Sequence, residues 1–108
     1  MDPESLKHLK HHWADLIREG QALSFHEGQS LYYEGHSPYG LFVLLSGKTH
    51  FQSNGSCKQE HGWKAPLGKV LGFESFFEDA PYCCSCIAEN DCKVVFISKT
   101  QLLPFHQS

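Results

Sequence analysis

A cluster of reactive side chains lies in the C-terminal part of the chain, at Cys83-Cys84-Ser85-Cys86. Cysteine thiolates bind zinc and iron–sulfur clusters, but such sites usually place two or more residues between paired cysteines. In an extended strand, Cys84 and Cys86 would share one face and Cys83 would take the other. Because cysteine also packs well as a small hydrophobic residue, we interpret the segment as a packed strand. A redox or cluster role for Cys83, Cys84 and Cys86 is the alternative.

The histidines offer a second set of possible ligands. His8 and His12 are one helical turn apart, but no carboxylate or cysteine completes a metal site, so we interpret them as part of a solvated helix face. Four others form no His-x-His pair or comparable cluster: His26, His36, His50 and His61. No Ser-His-Asp or Cys-His arrangement has a recognisable local signature. We therefore predict no metal site and no enzymatic activity.

The elements that must position these residues begin with a helix over residues 1–21. Asp2 is a good N-cap, Pro3 fits the first turn and Gly20 is a plausible stop. Apolar residues recur at three- and four-residue spacing, which predicts one buried stripe on this helix. The stripe consists of Leu6, Leu9, Trp13, Leu16 and Ile17.

From Gln21 onward, short apolar runs alternate with Gly, Pro, Asn and Asp turns, which predicts an all-β barrel or sandwich. Asn54-Gly55 is a strong hairpin turn because both residues tolerate a positive φ. We expect one short helical turn over 73–77, and Pro104 disfavours a helix at Leu103. The predicted strands are Ala22–Phe25, Ser30–Tyr33, Leu41–Leu45, Lys48–Gln52, Val70–Leu71, Cys83–Ala88 and Lys93–Ile97.

Length and composition limit the function. The 108 residues predict a single domain, 1–108, and no apolar run approaches the length of a membrane span. A net charge of −3 with only nine Lys and Arg argues against direct binding of nucleic acid by this domain. The five cysteines are an odd number and no signal peptide precedes them, so we expect reduced thiols and a cytoplasmic location.

Four segments with glycines at their turns follow one another in the order Phe25–Leu31, Glu34–Gly40, Leu41–Gly47 and Leu67–Gly72. Their order and spacing resemble the cyclic-nucleotide-binding domain, and more narrowly the sensor domain of the catabolite-activator and fumarate–nitrate-regulator superfamily of bacterial transcription factors. The similarity runs from Leu23 to Leu103. It implies a mainly β fold with flanking helices, a double-stranded, jelly-roll-like β-roll over 22–103, and a tail over 104–108 where a dimerisation helix would begin.

The resemblance also implies where a ligand would bind. In members that bind cyclic nucleotides, a short cassette supplies a Glu to the ribose and an Arg to the cyclic phosphate. Here Gly72 and Pro81 match that cassette, but Phe73 stands at the Glu position and Tyr82 at the Arg position. Cys84 replaces a small Ala, Ser85 keeps a hydroxyl, and Glu74 is displaced by one residue. The predicted ligand pocket is Gly72, Phe73, Glu74, Ser75, Tyr82, Cys83, Cys84 and Ser85.

These substitutions predict an effector-sensing regulatory domain that does not use the usual nucleotide clamp. One alternative is a genuine cyclic-nucleotide receptor in which Lys69 or Lys48 supplies the cation. Another is a haem-, metal- or thiol-based redox sensor, although residues 1–22 lack the cysteines of the oxygen-sensing branch. The third alternative is a scaffold that mediates contacts without binding a ligand.

The sequence does not identify a cofactor, and the expected partner is a small-molecule effector. We expect a homodimer in a full-length form, DNA contact only through a domain absent from this chain, and no membrane.

Overall fold

A computed structural model describes residues 9–54, 63–65 and 68–106 of the protein. Within these residues a short helical stretch over 9–11 is followed by three helices and eight strands. In chain order they are α1 (Trp13–Glu19), β1 (Gln21–Phe25), β2 (Ser30–Tyr32), β3 (Gly40–Ser46), β4 (Thr49–Gln52), β5 (Trp63–Ala65), β6 (Gly68–Leu71), α2 (Phe73–Phe77), β7 (Ser85–Ala88), β8 (Cys92–Ser98) and α3 (Lys99–His106).

The strands form two antiparallel sheets. Five strands make one sheet in the order β1-β8-β3-β6-β5, and three make the other in the order β2-β7-β4. Strands that are distant in sequence are therefore neighbours, as when β8 pairs with both β1 and β3. This arrangement confirms the predicted mainly β roll with flanking helices.

Alternation along the strands separates two cores, one on each face of the five-stranded sheet. On β3, Leu41 and Val43 belong to a cluster with the helices, whereas Phe42 and Leu44 pack on a second cluster between the sheets. We call these the helix-side core and the inter-sheet core. The inter-sheet core contains residues from both sheets, including Leu31 of β2 and Val94 of β8.

The N-terminal stripe supplies part of the helix-side core. Leu9, Trp13 and Leu16 are buried there and Ile17 packs against them. The helix ends at Glu19, as predicted, but Gly20 has an ordinary φ of −73°. Glycine is needed there for space, because an added Cβ would lie 2.4 Å from a methyl of Val95. Leu6, Asp2 and Pro3 lie outside the described residues.

Three features of the chain differ from the prediction. The N-terminal helix, expected as one element over 1–21, is interrupted by a turn at His12, which separates helical residues 9–11 from α1. Strand β5 was not predicted, although it pairs with β6 in the register Trp63↔Val70. The C-terminal helix also continues through Pro104, which was expected to disfavour it. The hairpin turn predicted at Asn54-Gly55 lies partly outside the described residues.

The start of α3 explains why a helix forms there despite the proline. Ser98 Oγ accepts a hydrogen bond from the Gln101 amide at 3.3 Å, and Gln101 Oε1 accepts one from the Ser98 amide at 3.0 Å. This reciprocal pair is a capping box. Leu102 is fully buried in the helix-side core, so packing adds to the cap.

Candidate functional site

The cassette begins at Gly72, which connects β6 to α2. Gly72 has a φ of +75°, a left-handed conformation that residues with a Cβ adopt only at a cost. A Cβ at this position would also lie 2.7 Å from a ring carbon of Tyr82. Glycine is thus required both for the turn and for the aromatic ring beside it. The short helix over 73–77 follows as predicted.

Tyr82 lies in the inter-sheet core with only 4% of its surface exposed. Its ring stacks on Tyr32, with centroids 3.8 Å apart and planes inclined by 15°. Its backbone is held as well: the Tyr82 amide donates to the His36 carbonyl at 3.0 Å, and the Tyr82 carbonyl accepts from the Gly35 amide at 2.8 Å. The residue at the expected arginine position is therefore a packed aromatic side chain between the sheets.

The residues after Tyr82 alternate in burial. Cys84 and Cys86 are buried, whereas Cys83 and Ser85 are half-buried. The hydroxyl that Ser85 retains accepts a hydrogen bond from the Glu34 amide at 2.9 Å. Ser85, at the start of β7, thus connects this strand to the turn that follows β2.

A small polar cluster extends this connection to the end of β4. The Glu34 carboxylate accepts a hydrogen bond from the Asn54 amide at 3.0 Å. The Ser53 hydroxyl lies 3.4 Å from the same carboxylate and 3.3 Å from the Cys83 carbonyl, which it can reach as a donor. These contacts hold three chain segments together beside the cassette.

The residues of α2 are divided between solvent and the helix-side core. Phe73 packs against that core with its ring 4.7 Å from Phe77, and Phe76 and Phe77 are buried in it. Ser75 is buried and Glu74 is exposed. The phenylalanines of the cassette thus pack against the outer helices, and among these aromatic residues Tyr82 alone joins the inter-sheet core.

The cysteines correct one expectation and support another. Cys83 is disulfide-bonded, which contradicts the expectation that all five thiols are reduced. Cys57 lies outside the described residues. Cys84, Cys86 and Cys92 are free and buried, in agreement with their interpretation as packed residues. An odd number of cysteines still permits one pair, which the count alone could not reveal.

The two lysines proposed as substitute cations differ in position. Lys69 is two residues before buried Leu71 on β6, and it pairs in register with Leu44. It therefore lies on the same sheet face as Leu71, toward the second sheet, and it is half-buried. Lys48 is exposed in the β3–β4 turn, where its amide donates to Asn90 Oδ1 at 2.8 Å. Only Lys69 has a location from which it could reach the inter-sheet space.

The described part of the chain holds no group of three or more His, Cys, Asp or Glu that could bind a metal ion. His26, His36 and His50 are exposed, and His8 and His61 lie outside the described residues. His26 and His50 each approach a carboxylate, at 3.2 Å from Asp91 and 3.6 Å from Glu89. These are surface pairs.

Tyr32 is the residue of the site that the sequence did not single out. Strand β2 contains a register shift between Ser30 and Tyr32, so Leu31 and Tyr32 are both buried. Strict alternation would have placed them on opposite faces. No signal in the sequence indicated the bulge.

Comparison with solved structures shows the same fold in regulators and in an enzyme. The N-terminal domain of a transcriptional regulator from Streptomyces coelicolor is 19% identical, with a TM-score of 0.65 over 97% of this chain and 69% of that one. The Thermus thermophilus catabolite activator protein is 17% identical, with a TM-score of 0.66 over 97% of this chain and 46% of that one. The EAL enzyme Bd1971 with cGMP bound is 19% identical, with a TM-score of 0.61 over 78% of this chain and 23% of that one.

The chain spans less than half of the catabolite activator protein and about a quarter of the EAL enzyme. No curated protein matches it significantly. None of the helices in the described segments has the length and apolar character to cross a membrane. A family model for the cyclic nucleotide-binding domain matches residues 22–108, which include both sheets, the cassette and α3. The chain therefore belongs to the cyclic nucleotide-binding domain family.

Proposed function

We propose that this domain senses a small-molecule effector without the usual cyclic-nucleotide clamp, as the regulatory module of a bacterial transcription regulator. The observation that carries the proposal is Tyr82. It stands where the resemblance places a phosphate-binding arginine, and its ring is buried and stacked on Tyr32. The predicted pocket residues are Gly72, Phe73, Glu74, Ser75, Tyr82, Cys83, Cys84 and Ser85. Of these, we propose that the effector contacts Tyr82, which lies in the inter-sheet core, and not Phe73, which packs against the helix-side core, or Glu74, which is exposed.

Electrostatics explain why this substitution matters. A phosphate between the sheets would be a charge in a medium of low dielectric constant, which costs several kcal/mol unless a cation pairs with it. A tyrosine hydroxyl can donate one hydrogen bond but cannot neutralise that charge. Phe73 likewise offers no carboxylate to a ribose, and Glu74 is exposed on the short helix.

The regulatory role is supported by the kinds of protein that share the fold. Two of the compared structures are a transcriptional regulator and a catabolite activator protein, and the present chain is shorter than either. We propose that DNA is contacted by a further domain, that a longer form is a homodimer, and that the protein has no enzymatic activity. The proposed cytoplasmic location rests on this role in transcription and not on the cysteines, because Cys83 is disulfide-bonded. An effector would act by favouring one arrangement of the roll over another.

Calorimetric titration of the 108-residue chain with cAMP and with cGMP tests the proposal. A dissociation constant of 1 µM corresponds to about −8.2 kcal/mol, and each loss of ~1.4 kcal/mol weakens binding tenfold. Without a phosphate cation, we expect neither nucleotide to bind at micromolar concentration. Micromolar affinity for either one would overturn the proposal.

A second candidate, a true cyclic-nucleotide receptor with an altered clamp, is favoured by one observation. Lys69 is half-buried on the face of β6 that looks toward the second sheet. If micromolar binding is found, Lys69→Met should weaken it about tenfold or more, because an ion pair in a partly desolvated site is lost. The matched control, Lys48→Met in the exposed β3–β4 turn, should leave it unchanged. If the Lys69→Met and Lys48→Met variants bind the nucleotide with equal affinity, Lys69 is not the cation that pairs with the phosphate.

A further inference from the structure

A cleft of about 250 Å³ opens at the end of the sandwich where β2 ends and β3 begins. Its inner wall consists of aromatic rings from the inter-sheet core, including Tyr32, Tyr82 and Phe42. Tyr33 and Tyr39 form part of its rim and are 54% and 76% exposed. Tyr82 is the only predicted cassette residue among its described lining residues, so the cleft and the cassette meet at this side chain.

The lining determines what kind of molecule the cleft can bind. Its described residues include no Asp, Glu, Lys or Arg, so a phosphate or carboxylate would find no partner charge. The His36 ring and the Ser37 hydroxyl provide hydrogen-bonding groups. Most of the remaining surface is aromatic, and aromatic rings pair favourably with other rings in offset or edge-to-face geometry.

The walls of the cleft are held in place by backbone hydrogen bonds. The loop after β2 is tied to Tyr82 through the Gly35 amide and the His36 carbonyl. At the other side of the rim, the Tyr39 carbonyl accepts a hydrogen bond from the Lys99 amide at 2.7 Å. A ligand would therefore meet a largely formed site, which reduces the ordering cost of binding.

We propose that this cleft is the effector site and that it binds a small, uncharged, planar aromatic molecule of one or two rings. The volume is slightly below the range typical of pockets for drug-sized ligands, roughly 300–1,000 Å³, which limits the ligand to that size. Burial of the two exposed tyrosine rings would contribute to the affinity. The inference rests on the proposed function, because it names the location and chemical class of the effector.

An NMR titration of the 108-residue chain with indole tests the proposal, with the anion indole-3-acetate as the charged counterpart and cAMP as a third ligand. Indole should produce saturable shifts at the amides of Tyr33, His36 and Tyr39, at roughly millimolar concentration for so small a probe. Tyr39→Ala should weaken the binding of indole about two- to tenfold. Leu45→Ala, which truncates an exposed residue outside the cleft, should not.

The outcomes separate the two proposals. The cleft proposal fails if indole gives no saturable shifts, if its shifts centre on Gly72 to Ser75, or if Tyr39→Ala binds as well as the unsubstituted chain. Tighter binding of the acetate than of indole would also overturn it. Micromolar binding of cAMP would instead overturn the proposed function, and with it the assignment of the cleft as the effector site.

Discussion

Two single positions, 72 and 82, shape the cassette of this domain. Tyr82 puts a neutral ring where a cyclic phosphate would need a cation, and that ring lies against Gly72. The two residues depend on each other, because a side chain at Gly72 would meet the Tyr82 ring at 2.7 Å. Tyr82, which replaces the expected arginine, therefore requires glycine at position 72 beside its ring.

Gly72→Ala is expected to destabilise the fold by about 2–4 kcal/mol. The left-handed φ of +75° costs about 1–2 kcal/mol for alanine, and the contact with Tyr82 adds overpacking of about 1–2 kcal/mol. Urea unfolding followed by circular dichroism measures the change in free energy.

Gly28→Ala is the matched control for this substitution. Gly28 has a φ of +87°, but a Cβ there would have no atom within 4 Å. Gly28→Ala should therefore lower the free energy of unfolding by only about 1–2 kcal/mol, the cost of the left-handed backbone conformation. If Gly72→Ala and Gly28→Ala lower the free energy of unfolding equally, the contact of the new Cβ with Tyr82 does not destabilise the fold.

Among the secondary-structure elements, α3 shows how local and tertiary terms combine. Its capping box fixes the start at Ser98, and the Gln101 side chain also donates to the Glu19 carbonyl at the end of α1, at 3.1 Å. Leu102 anchors the helix in the core. These three contributions outweigh the break that Pro104 would otherwise cause.

Ser98→Ala should destabilise the chain by about 0.5–2 kcal/mol, because the first turn of α3 loses the acceptor for the Gln101 amide. Thermal unfolding measures the effect. Thr100→Ala is the control, since Thr100 is exposed in the same helix and alanine has the higher helix propensity. If both substitutions lower the melting temperature equally, the cap contributes nothing specific.

Pro104→Ala should stabilise the protein by about 1–2 kcal/mol. Proline leaves the Thr100 carbonyl without its intrahelical donor, and alanine restores one, although a more flexible unfolded chain offsets part of the gain. Chemical denaturation compared with the unsubstituted chain tests this. A loss of stability would mean that Pro104 is favourable at the end of the helix.

For the molecule as a whole, the disulfide at Cys83 predicts a countable result. Cys84, Cys86 and Cys92 are free, so the denatured, unreduced protein should take up three alkyl groups out of five cysteines. Reduction should raise the number to five. Mass spectrometry counts both, and five alkyl groups before reduction would contradict the disulfide.

Much of the fold was predictable because its signals are local or periodic. Apolar stripes, glycine turns and short β runs indicated the helix, seven of the eight strands described here and the short helical turn of the cassette. Strand β5 is not among the predicted strands. Pro104 alone does not predict the length of α3, because the capping box and the burial of Leu102 outweigh the proline.

The sequence alone determined an all-β barrel or sandwich, because turn residues and hydrophobic periodicity act over a few neighbours. Its resemblance to the cyclic-nucleotide-binding domain implied the β-roll and a cassette that lacks the expected Glu and Arg. Only the tertiary structure decided that Tyr82 stacks on Tyr32, that Phe73 packs toward the outer helices, and that Cys83 is bonded. These outcomes depend on contacts between segments far apart in the chain. A bulge in β2, which turns Tyr32 inward beside Leu31, is such a long-range adjustment to packing, and periodicity cannot reveal it.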